Sequence, residues 1–242
     1  MAEFLSGLKS DFIKCFITRD RWQFITEGLS TTLKITLLSC IMGIVIGLVI
    51  AIVRSTYDKN YKEMRGGIGK GLLYIANAFS TLYLTVIRGT PVVVQLMIMY
   101  YIIFASSSNG ILIAVCAFGI NSGAYVAEIF RSGIMSVDNG QFEAGRSLGF
   151  GYISTMLYIV FPQAFKSVLP ALANEFIVLL KETSVAGYVA IRDLTKGGDI
   201  IRGATYETFM PLLAVAGIYL VLVMFFTKLV NILERRLRKN ER

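Results

Sequence analysis

The sequence predicts an all-α polytopic membrane protein with five transmembrane helices. Three observations carry that expectation. Apolar residues make up 55% of the 242 residues and the mean hydropathy is +0.64, a balance that suits a chain solvated by lipid. The stretch from Ile35 to Val53 carries no charge and is long enough to cross roughly 30 Å of hydrocarbon as a helix. The net charge of +8 is gathered beside apolar stretches, where Lys and Arg set topology rather than bind nucleic acid.

Taken in chain order, residues 1–28 hold Glu3, Lys9, Asp11, Lys14, Arg19, Asp20 and Arg21 among isolated aromatics. They lack the short apolar core and small-residue cleavage site of a removable leader, so they read as an external amino-terminal segment. Five apolar stretches follow, at about 29–53, 91–105, 110–131, 163–188 and 208–231, each long enough to span or nearly so. The second is short. Residues 69–88, "GKGLLYIANAFSTLYLTVIR", have helical character and either lie in the interface or extend that second span as a tilted helix.

Orientation comes from the basic clusters Arg54, Lys59, Lys62, Arg65, Lys70 and Arg235, Arg236, Arg238, Lys239, Arg242, both expected on the cytoplasmic side because positive flanks resist translocation. The amino terminus then lies outside and the carboxyl terminus inside. Residues 132–162 fall inside, "SSSNG" (106–110) and 190–207 outside. Lys9, Lys14, Arg19 and Arg21 run against the rule. The whole of 1–242 reads as a single transmembrane domain.

Several classes are excluded. The chain has no histidine, the commonest general base and metal ligand. Cys15, Cys40 and Cys116 have neither disulfide-framework nor metal-ligand spacing and read as packing residues. No paired aspartates on adjacent spans and no Gly-x-Ser-x-Gly support an intramembrane enzyme. "GGIGKG" (66–71) lacks the spacing and preceding strand of a phosphate-binding loop, so no cofactor is expected on this chain. Small residues recur at helical spacing as Gly43, Gly47, Ala51 and as Gly119, Gly123, Ala127, a pattern for close helix packing in lipid.

Residues 136–162 are the exception to the oily pattern. "FEAGRSLGFGYISTMLYIVFPQAF" (142–165) is too polar to cross a bilayer and too structured for a linker. A short amphipathic helix is expected around 140–148, ended by Gly149 as a left-handed cap, with Pro162 at the first turn of the fourth span. Such a segment is a rigid knob. Glu143 would pair with Arg146 or with a partner.

The knob has a register: Glu143-Ala144-Gly145, three residues, Gly149, nine residues, Ile159, one residue, Phe161-Pro162. This resembles the EAA loop of ABC importer permeases, Glu-Ala-Ala, three residues, Gly, nine residues, Ile, one residue, Leu-Pro. Gly145 and Phe161 are the departures. "IRGTPVVVQL" (87–96), "NSGAYVAEIFRSGI" (121–134), "GQFEAGRSLGF" (140–150), "PQAF" (162–165) and "ANEFIVLLKETS" (173–184) extend the resemblance to the polar amino acid (histidine, glutamine, arginine) uptake branch of that family. The resemblance implies a type I permease-like fold in the bacterial cytoplasmic (inner) membrane. It implies two permease subunits, two cytoplasmic ATPase subunits that bind ATP and Mg, and an extracytoplasmic amino acid-binding protein. On it, Gly140, Glu143, Ala144, Gly145, Gly149 and Pro162 are the expected ATPase-coupling residues.

A charge inside the membrane is costly, and where it persists it faces a polar path or a partner. Asn121, Tyr125, Glu128 and Ser132 share one face of the third span, and Asn174 and Glu175 lie near the middle of the fourth, with Lys181 and Glu182 further along. The expected solute pathway is Glu175, Asn174, Asn121, Glu128 and Gln95, with Glu175 meeting a cationic group of the solute. A hydrogen-bonded helix contact or a salt bridge, for instance to Lys181 of a neighbouring subunit, explains Glu175 equally well, and pairing with Arg131 or Arg88 explains Glu128 better. "KETSVAG" (181–187) with "IRDLTKGGDIIRG" (191–203) is an outer gate or docking surface, or an ordinary inter-span loop with short helices.

The function expected is a non-enzymatic permease subunit that moves a polar, basic or amidated amino acid by alternating access, driven by partner ATPases. Five spans do not readily enclose a path, so a dimer, of like or related chains, is expected. The rival is an ATP-independent secondary transporter or channel subunit; such proteins often show repeated halves, and this sequence shows no convincing internal repeat.

Overall fold

A computed structural model of the protein describes residues 7, 9–62 and 64–239, with side chains to residue 237. Glu3, Arg242 and the side chains of Arg238 and Lys239 lie outside the described residues. Among those described, all regular structure is helical. Helical turns Ile13–Ile17 and Thr18–Asp20 lead into α1, Trp22–Asn60. There follow α2 (Ile68–Arg88), α3 (Val92–Ile103), α4 (Gly110–Met135), α5 (Asn139–Ser147), α6 (Tyr152–Val189), α7 (Leu194–Thr205) and α8 (Phe209–Lys239). By length and composition, α1, α2, α4, α6 and α8 are 5 helices able to cross a membrane.

The number of spans agrees with the sequence, but the second one changes identity. The 21-residue α2 reaches about 31 Å, whereas α3, at Val92–Ile103, reaches only about 18 Å. The reading of 91–105 as the second crossing is therefore corrected: α2 is a separate helix, long and apolar enough to cross, and it does not run on into α3. It stops at Gly89, whose N–H bonds the Thr85 carbonyl at 3.0 Å. Pro91 follows, which has no N–H and disfavours helical geometry at Thr90.

The start of the fourth crossing moves as well. Pro162 does not begin the helix, which starts at Tyr152. In between, Met156–Val160 forms a wide π-turn in which the Phe161 N–H bonds the Met156 carbonyl. A one-residue widening lets the helix run on past a proline that lacks a donor.

Two compact units divide the chain. Of the described residues, the first holds those within 7–39, 92–118 and 177–229; the second holds those within 40–91, 119–176 and 230–239. In the first, Cys15, Phe16, Ile25, Leu194, Ile201 and Val215 form a buried core. The amino-terminal turns are therefore docked rather than free, and Lys14 Nζ adds an ion pair to Glu207 at 2.7 Å. In the second, the two small-residue stripes face each other: a Cβ at Gly43 would meet Ser122 and one at Gly47 would meet Val126. The close packing that each stripe permits is therefore realised between α1 and α4. Ala51, Val126, Phe130, Val168 and Leu172 continue that packing.

Candidate coupling bracket and membrane carboxylate

The bracket begins with an aspartate that the sequence reading passed over. Asp138 Oδ1 accepts the Gly140 N–H at 2.6 Å and starts α5. The signal was present as Asp138 followed three residues later by Gln141, the spacing of a capped helix start. At the other end the Gly149 N–H reaches the Arg146 carbonyl at 2.9 Å and the Phe150 N–H reaches the Gly145 carbonyl at 3.0 Å. These two bonds close a Schellman motif. Gly149 sits at φ +82, the left-handed conformation expected, and nothing would meet a Cβ there. Its requirement is conformational only.

Packing seats the bracket. Phe142 is buried with Ile134, Val137, Val160 and Ala164, and Lys59 Nζ stands 4.7 Å from its ring centroid while bonding Asn139 Oδ1 at 2.5 Å. Gln163 Nε2 reaches Gln141 Oε1 at 3.1 Å. Gly145 explains its own departure from alanine: a Cβ there would stand 2.6 Å from Thr155 Oγ1 and 2.7 Å from Thr155 Cγ2. Thr155 is 2% exposed and its hydroxyl has no hydrogen-bond partner. Glu143, Ala144, Arg146, Ser147, Leu148 and Phe150 remain exposed, as do Gly140 and Pro162. Of the coupling residues expected from sequence, only Gly145 is buried.

The membrane carboxylate lies in the same unit. Glu175 is 8% exposed and accepts the Ser122 hydroxyl at 2.9 Å, so α4 and α6 are tied by a hydrogen bond beside Gly43 of α1. Ser122 is the partner that sequence reasoning missed, since it shows only as one more small residue. The stripe on α4 does not stay in one environment: Asn121 is buried, Tyr125 and Ser132 are exposed, and Glu128 is half-buried. Asn174 is exposed beside the buried Glu175, and Gln95 is half-buried on α3 in the first unit.

Glu128 is held in a network of ion pairs. Its carboxylate lies 3.2 Å from Arg131 Nη2 and 4.0 Å from Arg88 Nη1, while Arg131 Nη1 also reaches Asp58 at 3.2 Å. Both basic partners named from sequence are thus in place. Glu128, Ser132, Ser136 and Ser167 line an open cleft of about 410 Å3 between α4 and α6.

The segment after α6 is a seated helix. Asp193, fully buried, accepts the Lys196 and Thr195 N–H groups at 2.9 and 3.2 Å, and the Leu194 N–H bonds Thr32 Oγ1 at 3.0 Å. Burial pushes the Asp193 carboxyl up, against the pull of these N–H bonds. On the exposed side Asp199 pairs with Lys196 and Arg202, and those two hydrogen bonds hold its carboxyl below the ordinary aspartate range. They line a cleft of about 530 Å3 with Ser184, Tyr188 and Thr208.

Comparison with known proteins decides the family. Residues 70–239 match the family described as the binding-protein-dependent transport system inner membrane component. This chain belongs to that family. The permease is 36% identical to the arginine transport system permease protein of Bacillus subtilis over 90% of its own length and 94% of that protein. It is 34% identical to the glutamine transport system permease protein of Escherichia coli, covering 72% and 86%. Its fold superposes with a TM-score of 0.78 on the crystal structure of an amino acid ABC transporter with histidines, at 39% identity and 91% and 98% coverage. The methionine ABC transporter in an inward-facing conformation, 18% identical with a TM-score of 0.75, shares the fold.

Proposed function

We propose that this chain is the permease subunit of an ATP-binding cassette importer for a polar, basic or amidated amino acid. Two such subunits, alike or related, would form the path, two ATPase subunits would bind ATP and Mg, and an extracytoplasmic binding protein would deliver the solute. The orientation, bracket inward and amino terminus outward, in a bacterial inner membrane, belongs to the same reading. The observation that carries it is a mechanical one: the bracket is seated on Thr155, and Thr155 and Glu175 belong to one helix, α6. Some 30 Å of helix joins them, so a pull on α5 reaches the carboxylate without a covalent step. Relatives named for arginine and glutamine transport support the solute class, and Glu175 suits an ammonium or basic side chain. The chain itself does no chemistry in this reading; ATP hydrolysis belongs to the partners.

Reconstitution with the partner subunits in proteoliposomes tests it. Uptake of arginine, glutamine or histidine is expected to require ATP and to fall in a Glu175→Gln variant. Uptake that followed an ion gradient and ignored ATP would establish a secondary transporter instead, and unchanged affinity and transport in Glu175→Gln would remove that carboxylate from the path.

A further inference from the structure

The second unit contains a cleft that neither the bracket nor the carboxylate uses. Its volume is about 290 Å3, and it lies between α1 and the first turns of α6, lined by Ile52, Ser55, Thr56, Tyr152, Met156 and Leu157 among others. The polar groups in it are already engaged: the Ser55 hydroxyl bonds the Ala51 carbonyl at 2.6 Å, and the Tyr152 hydroxyl reaches Thr56 Oγ1 at 3.5 Å. What remains to be covered is hydrocarbon. The rims are exposed and apolar too, with Ile153 72% and Leu157 57% exposed.

Charge identifies the occupant. The α1 wall of the cleft runs directly into Lys59, Lys62 and Arg65, with Lys70 beyond the turn. Lys59 lies about one turn past Thr56 and is half-buried against the bracket, whereas Lys62 and Arg65 are exposed. Tyr57 and Tyr61 stack at 4.4 Å there, and Tyr74 of α2 meets Tyr61 in a tilted contact at 6.4 Å. Tyrosines beside lysines at the end of an apolar helix mark the headgroup level of a bilayer, and basic groups there attract anionic lipid. An apolar slot that ends beside exposed basic side chains at that level fits a molecule with a chain and an anionic head.

We propose that this cleft is a site for an anionic phospholipid, its acyl chain between α1 and α6 and its phosphate on Lys62 and Arg65. The site adjoins the bracket, because Tyr152 and Met156 pack against the core that buries Phe142. An acyl chain there completes the wall on which the bracket is seated.

The test uses the full permease with its partner subunits, in nanodiscs of phosphatidylcholine alone or mixed with phosphatidylglycerol. After exchange into detergent, native mass spectrometry is expected to show phosphatidylglycerol retained in preference to phosphatidylcholine. Lys62→Gln should weaken that retention about fivefold, the effect of one basic residue near an anionic surface, and Ile153→Trp, which fills the rim, should reduce retention of both lipids. Lys62→Gln alters an exposed side chain, so it reads the site even where Ile153→Trp fails to assemble. Equal retention of the two lipids, or retention unchanged in Lys62→Gln, overturns the proposal, as does displacement of phosphatidylglycerol by glycerol phosphate without a chain. Binding is read without transport, so the outcome is separate from the proposed import function.

Discussion

Gly145 and Thr155 show how one side chain decides another. A methyl group at 145 would press on both branches of Thr155, and overpacking of this kind costs about 1 to 3 kcal/mol. Gly145→Ala is expected to lower the thermal stability of the purified permease, and adding Thr155→Ala to restore most of it, because the Thr155 hydroxyl has no partner to lose. A double variant as unstable as Gly145→Ala would refute the pairing. Gly149 is a different case, since its neighbourhood is empty and only its φ of +82 matters. A β-branched residue there costs on the order of 1 to 3 kcal/mol, whereas Asn visits that region. Gly149→Val is expected to lower solute moved per ATP hydrolysed, with Gly149→Asn near the wild type. Full coupling in Gly149→Val would show that the bracket does not transmit force. The register of the bracket was legible in the sequence; the reason for its glycines was not, because Thr155 is ten positions away in the chain and meets Gly145 only through the fold.

At the scale of elements, helix ends carried the information. Gly149 and the expected helix around 140–148 match α5 closely, since caps are local chemistry. Pro162 misled, because a proline reads as a helix start unless a wider turn precedes it, and no local rule announces the one at Met156–Val160. The second crossing was misassigned for a related reason: 91–105 is the more apolar stretch, but Gly89 and Pro91 leave α3 too short. In α7 the cap itself is the testable feature. Asp193 has a folded-state pKa raised by burial above 3.8, so its ionised form is disfavoured in the fold. That penalty is present above the folded pKa and disappears as pH falls through it towards 3.8. Asp193→Asn keeps an acceptor for the Lys196 and Thr195 N–H groups and is expected to gain stability over the wild type at neutral pH, the difference narrowing on acidification. Asp193→Ala, without the acceptor, should lose about 1 kcal/mol. Thermal unfolding across pH measures both, and an Asp193→Asn difference that grew on acidification would reverse the sign of this argument.

For the whole molecule, the decisive property is how much apolar surface stays uncovered. Leu72, Phe79, Leu82, Val221, Met224 and Phe225 are all more than half exposed on long helices, as suits contact with lipid or with another permease chain. Light scattering of the particle in mild detergent is expected to give two permease chains. A single-chain mass that retains solute transport after reconstitution would count against the two-subunit path.

By itself the sequence determined the fold class, the number of crossings, the two stripes of small residues and the register of the bracket. Each of these follows from solvation or from hydrogen bonding within a few residues, and both are written locally. The tertiary structure decided which stretch makes the second crossing, that Glu175 is tied to Ser122, that Glu128 sits among Arg88, Arg131 and Asp58, and that Thr155 seats the bracket. Those outcomes depend on side chains far apart in the chain that meet only when the helices pack, and a buried polar group takes whichever partner the packing supplies.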